Sequence, residues 1–320
     1  MYTRRVRLSD RSEFAWIERI RRRVARAKPS RNVALGIGDD AALLRLRPGE
    51  QVVVSTDAFV EDVHFRFDNE APRTIGRRAV VAALSDLAAM GARPLGCIGS
   101  VAAPPSLSQA RFDGLMGGVV DEAQRLGAPL VGGNLTRARE LSLHVTALGA
   151  VAVGQALTRT GTRAGDRVFV TGVLGIAALE RALAERGDGR VRWVPEPRLG
   201  PGRKLALLSA TVACLDVSDG LESDLAHLLP DGLALPLDPA RLPLPRGYRT
   251  RCARLGLDPD TLALTGGEDY ELLFVIRGPR PTPEALSRRL GLPVTELGRI
   301  ERARGPATRT QARPGGWRHF

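Results

Sequence analysis

The sequence predicts an α/β (α+β) fold in two domains, and three observations carry that prediction. Stretches of strand period and of helix period alternate in both halves of the chain. The pattern dissolves into loop over residues 154–166, where Gly154, Gly161 and Gly165 fall close together. The length, 320 residues, suits two cores better than one. The boundary is therefore placed after Gly154, with a first domain of residues 1–154 and a second of residues 155–320.

In the first domain, residues 12–27 read as an amphipathic helix with Phe14, Ile17, Ile20 and Val24 on its apolar face. Arg21, Arg22 and Arg23 lie near its solvated side. Residues 51–55 form a strand running into Thr56-Asp57. Residues 74–90 form an Ala/Leu-rich helix stopped by Gly91. A strand over 95–102 ends at Pro104-Pro105, and a helix over 106–126 is closed by Gly127. Residues 129–131 lead into Gly132-Gly133-Asn134, and 141–153 alternate as a long strand. In the second domain, strands are expected at 167–171, 211–216, 271–276 and 294–299. Helices are expected at 176–186, near 203–209, at 218–229 and at 283–290, with a Gly/Pro-rich connection over 187–202.

Composition narrows the function. Apolar content of 43% and charged content of 26% are those of a globular protein. No apolar run is long enough to span a bilayer, so no membrane partner is expected. The N-terminus is Arg-rich but lacks an apolar core, so it does not read as a secretory signal. Cys97, Cys214 and Cys252 are far apart and form no Cys-x-x-Cys, which fits a reducing cytoplasm and argues against a zinc site or disulfide framework. The net charge of +12 invites a nucleic-acid reading. Against it, the charge is almost all Arg, is spread over both halves, and comes with few aromatic residues to stack bases. No nucleic-acid partner is expected.

The informative signal is six Gly/acid clusters: Gly36-Ile37-Gly38-Asp39-Asp40, Ser55-Thr56-Asp57, Ser85-Asp86, Gly132-Gly133-Asn134, Asp216-Val217-Ser218-Asp219-Gly220 and Gly266-Gly267-Glu268-Asp269-Tyr270-Glu271. Several follow apolar runs and are expected in strand-end loops. Carboxylates beside Gly and Ser offer the oxygen ligands that hard cations need. No P-loop, no Gly-x-Gly-x-x-Gly after a strand, no kinase triad and no Gly-x-Ser-x-Gly elbow is present. The remaining inventory of oxygen ligands is Asp40, Ser55, Thr56, Asp57, Asp86, Asn134, Asp216, Ser218 and Asp219. Magnesium takes one or two protein carboxylates per ion and completes its octahedron with water and phosphate, so this set implies either several ions, which would suit a reaction joining two polyanions, or one ion and chance. Each cluster is also an ordinary turn sequence, and spacing alone leaves both readings open.

The ordered motifs decide further. GIGDDAALL (36–44), STDAFVEDVHF (55–65), AALSDLAAMG (82–91), VGGNLTR (131–137), ALTRTG (156–161), LDVSDGLESDL (215–225), GGEDYEL (266–272) and GWRHF (316–320) cover nearly the whole chain. Together they resemble the thiamine-monophosphate kinase family of the aminoimidazole-ribonucleotide-synthetase (PurM-like) superfamily. The resemblance implies a two-domain PurM-like fold, a homodimer paired through the N-terminal domains, and an active site completed by both domains. It implies ATP-dependent phosphorylation of thiamine monophosphate with several Mg²⁺ ions. Carried over residue by residue, the implied metal ligands are Asp40, Ser55, Thr56, Asp57, Asp86, Asn134, Asp216 and Asp219. The implied ATP contacts are Gly133, Asn134, Arg159 and Ser218, and the implied acceptor contacts are His64, Glu268 and Trp317. Asp57, Asp86 and Arg159 would carry the catalytic charge.

Three positions depart from the family pattern. Asn134 stands where many members have Asp, Asp62 where Gly is usual, and Met116 where Tyr often lies near the adenine. The expected chemistry is direct in-line transfer to an acceptor that is already an anion, without a phosphoenzyme. The nearest alternatives share the superfamily: an enzyme of the aminoimidazole-ribonucleotide-synthetase type; a selenophosphate synthetase, which would need a reactive N-terminal Cys or selenocysteine where none precedes Cys97; and a hydrogenase-maturation dehydratase, which would need a C-terminal Cys where the chain closes on His319-Phe320. A non-catalytic Mg-nucleotide sensor is the alternative outside that group of enzymes.

Overall fold

A computed structural model describes residues 6–10 and 12–303 of the chain. Trp317 lies outside the described residues. Contacts divide the chain into two compact units, Met1–Leu87, Arg93–Val153 and Gly187–Val194 in the first, and Ala88–Ala92, Gly154–Arg186 and Pro195–Phe320 in the second. A single cut after residue 154 misses the two exchanged segments. Residues 187–194 fall with the first unit because Val191 buries its side chain there and its N–H donates to Asn69 O at 2.9 Å.

The first unit begins with α1 (Glu13–Val24), whose N-terminus is capped by Ser12 Oγ accepting from the Ala15 N–H at 3.3 Å. Its core anchor is Trp16, 1% exposed, which packs edge-on to Phe112 at 5.2 Å and donates Nε1–H to Leu8 O. Phe14, expected on the apolar face, is 81% exposed. The indole finds both a ring and a carbonyl acceptor, a pairing that helical periodicity does not weigh. Arg21 and Arg22 are exposed and pair with Glu18, whereas Arg23 forks onto Asp121.

Next come β1 (Val33–Leu35) paired with β2 (Leu43–Leu44), β3 (Glu50–Val60), α2 (Pro72–Ala89), β4 (Arg93–Ala103), α3 (Gln109–Arg125), β5 (Leu130–Arg137) and β6 (Ser142–Ala152). The four long strands form one sheet in the order β3-β6-β4-β5. Only the β4/β5 pairing is parallel, as the α3 crossover requires. On β6 the alternation is plain, with Leu143, Val145 and Ala147 buried and His144 exposed. α2 and α3 approach closely at Gly76 and Gly118, where a Cβ would strike the backbone of the other helix. On β3, Val52 and Val54 remain 50% and 60% exposed.

The second unit contains β7 (Arg167–Thr171), α4 (Ile176–Glu185), α5 (Leu199–Ala206), β8 (Thr211–Asp216), α6 (Leu221–Leu228), β9 (Leu233–Ala234), α7 (Tyr248–Arg254), α8 (Pro259–Thr265), β10 (Leu272–Ile276), α9 (Pro283–Leu290), β11 (Val294–Arg299) and β12 (Glu301–Arg302). Its main sheet runs β11-β7-β10-β8, antiparallel throughout, with β9 and β12 paired apart. Both faces are covered. Val168, Val170, Leu215 and Leu273 pack with Leu179, Leu225 and Tyr248 on one face. Phe169, Cys214, Leu272 and Phe274 pack with Leu205 and Leu286 on the other. This is why β10 reads as an unbroken apolar run and β7 as an apolar run, Val168–Val170, between Arg167 and Thr171. The seven-residue helices α7 and α8 escape the periodicity reading because each offers barely two turns.

Candidate functional site

In the first unit, β3 presents the motif Ser55-Thr56-Asp57 in mid-strand, not in a strand-end loop. Strand alternation therefore splits it. Ser55 hydroxyl bonds the Asp86 carboxylate on α2, so Ser55 and Asp57 look toward that helix. Thr56 looks the other way and sits 3.1 Å from Thr146 Oγ1. The Thr56 hydroxyl is thus not on the side of the Asp86 carboxylate. Asp86 stands on α2 near its C-terminus, where the helix macrodipole disfavours a carboxylate. Asp40 lies exposed in the loop between β1 and β2, where its N–H donates to Asp39 Oδ1 at 2.9 Å.

At the opposite edge of the sheet lies an open, apolar recess lined by Ile17, Ile20, Ile37, Met116, Gly133 and Leu135, with Asn134 at its margin. Gly133 must be glycine, because a Cβ there would meet the Gly99 carbonyl. Asp57 pairs with Val145, Val145 with Gly99, and Gly99 with Gly133, one register row across all four strands. Three strand spacings separate the ends of that row by about 14 Å. Within one copy of the chain, Asn134 therefore lies with Gly133 and Met116, three strand spacings from Asp57. The row sets an apolar recess at one end and carboxylates at the other, about 14 Å apart.

The β3–α2 connection carries His64. Its Nδ1 accepts the Val60 N–H at 3.1 Å, and its ring stacks on Phe59 at 5.5 Å. Asp62, the family's glycine position, has φ 64°, the left-handed region where glycine is free and Asp is tolerated. The departure at 62 is thus conformationally conservative. The exposed carboxylate faces Arg66 at 3.3 Å.

In the second unit two loops are zipped together. Val217 N–H donates to Glu271 O, Glu268 N–H to Ser218 O and Tyr270 N–H to Val217 O, at 2.8–2.9 Å. Gly267 packs on the Ser218 carbonyl too closely to admit a Cβ. Asp216 is buried at the end of β8, and Ser218 and Asp219 follow in the loop. The N–H groups of Ser218 and Asp219 both donate to Asp224 Oδ2, at 2.9 and 3.0 Å. That capture, with Gly220 at φ 107°, delays α6 until Leu221, later than the start expected at 218. Asp224 was not among the residues expected to matter, although its place in the Ser-Asp-Gly…Asp-Leu motif is the signal that could have found it. Burial, and then the negative charge of Asp216, pushes its carboxyl up to about 8. Glu271, likewise unforeseen, is 2% exposed and accepts from Thr171, Val173 and a forked Arg198. Arg159 lies exposed in the second unit before β7.

Among the described residues, no group of three or more His, Cys, Asp or Glu converges as a ready-made metal cage. Magnesium needs none, since one or two carboxylates with water and phosphate oxygens complete its shell. Ser55 and Asp57 on one face of β3, Asp86 on α2, and Asp216 with Asp219 at the end of β8 offer such oxygens. The donor set therefore fits Mg²⁺.

The family model "AIR synthase related protein, N-terminal domain" matches residues 38–151, the stretch that carries nearly all of this sheet with its acidic strand and glycine-bearing edge. Thiamine-monophosphate kinase of Mycobacterium tuberculosis is 39% identical over 282 residues, covering 86% of this chain and 83% of that protein. The chain belongs to the thiamine-monophosphate kinase family. Among solved structures, the thiamine-monophosphate kinase of Stenotrophomonas maltophilia K279a is similar with a TM-score of 0.78 and 36% identity, covering 92% of this chain and 96% of its own. AaThiL complexed with AMPPCP and TMP is similar with a TM-score of 0.72 and 28% identity over 100% of both chains.

Proposed function

We propose that this chain transfers the γ-phosphoryl group of ATP to thiamine monophosphate, giving thiamine diphosphate. The observation that carries this reading is the register row from Gly133 to Asp57, which offers a base recess and a carboxylate end one nucleotide-length apart. A relative solved with an ATP analogue and TMP supports the same pair of ligands.

In this reading Gly133, Asn134 and Met116 receive the base side, and Ser218 and Arg159 the phosphates. Ser55, Asp57 and Asp86 in the first unit, Asp216 and Asp219 in the second, and Asp40 hold Mg²⁺. When bound, Mg²⁺ neutralises phosphate charge and orients the oxygens that exchange the phosphoryl group. Asp224 keeps the Ser218–Asp219 backbone in place by accepting both N–H groups. His64, Glu268 and Trp317 contact the acceptor. The acceptor phosphate is itself the nucleophile, so no side chain needs to be phosphorylated. The cysteines agree with that: all three are buried, and burial pushes the Cys97 thiol up to about 12. Three buried free thiols also fit a cytoplasmic enzyme. Among the described residues no helix is long and apolar enough to cross a membrane. The exposed Val52 and Val54 of β3 support a homodimer paired through the first unit.

The deciding experiment incubates the protein with ATP, Mg²⁺ and a panel of free and phosphorylated thiamines, with products read by mass. Thiamine diphosphate formed from the monophosphate alone is the expected result. Nucleotide binding without turnover of any thiamine compound would replace the kinase with a sensor.

A further inference from the structure

The Gly266–Glu271 motif does more than contribute one acid. Glu268 sits at φ 66°, with its N–H fixed to Ser218 O at 2.8 Å. The next residue, Asp269, is 3% exposed, and its Oδ2 accepts the Gly175 N–H at 2.7 Å, at the N-terminus of α4. Less than two turns along the same helix, Arg181 donates Nη2–H to Glu268 Oε2 at 2.5 Å. The motif therefore grips α4 at two points, its first turn through Asp269 and its flank through Arg181. The guanidinium is placed by the fold and not by chance. Its side chain is 35% exposed and that of Glu268 13%, so the pair lies at a surface edge within reach of a ligand. A guanidinium carries five N–H groups, and the bond to Glu268 uses one.

Such a pair is a poor site for a lone cation. A cation drawn to Glu268 meets the repulsion of Arg181, and the carboxylate already has its counter-ion. It is a good site for a molecule carrying both signs. Thiamine monophosphate is such a molecule, with a thiazolium ring and a phosphate on one short chain. Unphosphorylated thiamine carries the cation alone.

Resting on the kinase reading above, we propose that Arg181 and Glu268 together read the acceptor as a zwitterion. Glu268 faces the thiazolium and Arg181 the phosphate. Arg181 is thereby a specificity-determining residue that makes the enzyme favour phosphorylated over unphosphorylated thiamine. The role needs a fork of donors, so Arg is better than Lys there.

The test is calorimetric titration of thiamine monophosphate and of thiamine, separately, into full-length protein holding a non-hydrolysable ATP analogue and Mg²⁺. Wild type is compared with Arg181→Gln and Arg181→Lys. A hydrogen-bonded charge contact corresponds to about a 10- to 100-fold change in affinity. Arg181→Gln should weaken thiamine monophosphate by that factor. It should leave ATP-analogue affinity within about twofold and leave thiamine unchanged or tighter, since Arg181 no longer repels the thiazolium cation. Arg181→Lys should recover part of the loss. Equal weakening of both thiamine ligands would mean that the pair merely shapes the loop and would overturn the proposal. So would an unchanged ratio between them. If Arg181→Gln does not fold, the Lys variant alone decides, by whether the ratio of the two affinities falls. If wild type turns over no thiamine compound, the kinase reading fails first. If wild type turns over the monophosphate and the ratio is insensitive to Arg181, only the present proposal fails.

Discussion

Ser55 and Asp57 share one face of β3, and the Ser55 hydroxyl bonds the Asp86 carboxylate on α2. A carboxylate that positions a cation on transferred phosphate is worth several kcal/mol at the transition state. Asp57→Asn or Asp86→Asn should therefore lower turnover by at least about 100-fold with the fold intact by circular dichroism. Near-normal rates in both variants at saturating ATP and low Mg²⁺ would remove these residues from the metal site. Asn134 differs because, within one copy, two strands, β6 and β4, lie between it and Asp57. Asn134→Asp should leave the Mg²⁺ concentration for half-maximal rate unchanged and show its effect in the ATP requirement. A marked fall in the Mg²⁺ requirement would restore Asn134 to the metal ligands. Asp62 presents a backbone question. With φ 64° and an exposed carboxylate, Asp62→Gly should change stability little, because an exposed pair with Arg66 contributes at most about 1 kcal/mol. Asp62→Val should cost about 1–2 kcal/mol, a β-branched side chain being strained there. Thermal melts of the two variants that coincide would show that the turn accommodates either residue.

At the scale of elements, the first sheet is pinned at one end by Glu50 on β3 and Arg93 on β4. Arg93 forks onto Glu50 at 2.8 and 2.5 Å and also reaches Asn32 at 3.1 Å. Both side chains are 11% exposed. The guanidinium bonds hold the Glu50 carboxyl down at about 2. A depressed carboxylate contributes stability above its unfolded value near 4.5 and loses it as pH falls toward 2. Glu50→Gln should thus destabilise by about 1–3 kcal/mol at neutral pH. The difference from wild type should shrink as pH falls below about 4 and be nearly gone near 2. Denaturant titrations at several pH values read this, and a difference that persists unchanged into acid would refute the pairing as its source. The zipped loops of the second unit follow the same logic. Backbone bonds between the Asp216–Gly220 and Gly266–Glu271 loops make two distant motifs one rigid piece, which places Arg181 and Glu268.

For the whole molecule, the open question is assembly. A sheet with valines 50% and 60% exposed on β3 is an apolar surface that a second copy would cover. Val54→Lys should convert a dimer to a monomer by light scattering, with ATP binding largely retained since Val54 lies away from the base recess. A monomeric wild-type protein would sink the homodimer, and a dimeric Val54→Lys variant would move its interface elsewhere.

The sequence by itself determined what depends on local order. The long strands and helices announced themselves by period, because each buries a continuous face. The motifs were legible because backbone turns, close approaches and oxygen ligands each demand particular residues at fixed spacing. Tertiary structure decided what depends on partners far along the chain. Alternation along β3 sent Thr56 away from Ser55, a consequence of that stretch being mid-strand. Trp16 displaced Phe14 from the core because Phe112 and the Leu8 carbonyl lie where the indole reaches both. The registers of β3-β6-β4-β5 parted Asn134 from Asp57, although both are oxygen ligands in the sequence. The role of Asp224, whose motif is in the sequence, and that of Arg181, which no motif marks, became visible once folding brought a carboxylate under the Ser218–Asp219 N–H groups and a guanidinium against Glu268. Periodicity is a property of neighbours along the chain, whereas a binding site is a property of neighbours in space, and long-range pairing is what converts one into the other.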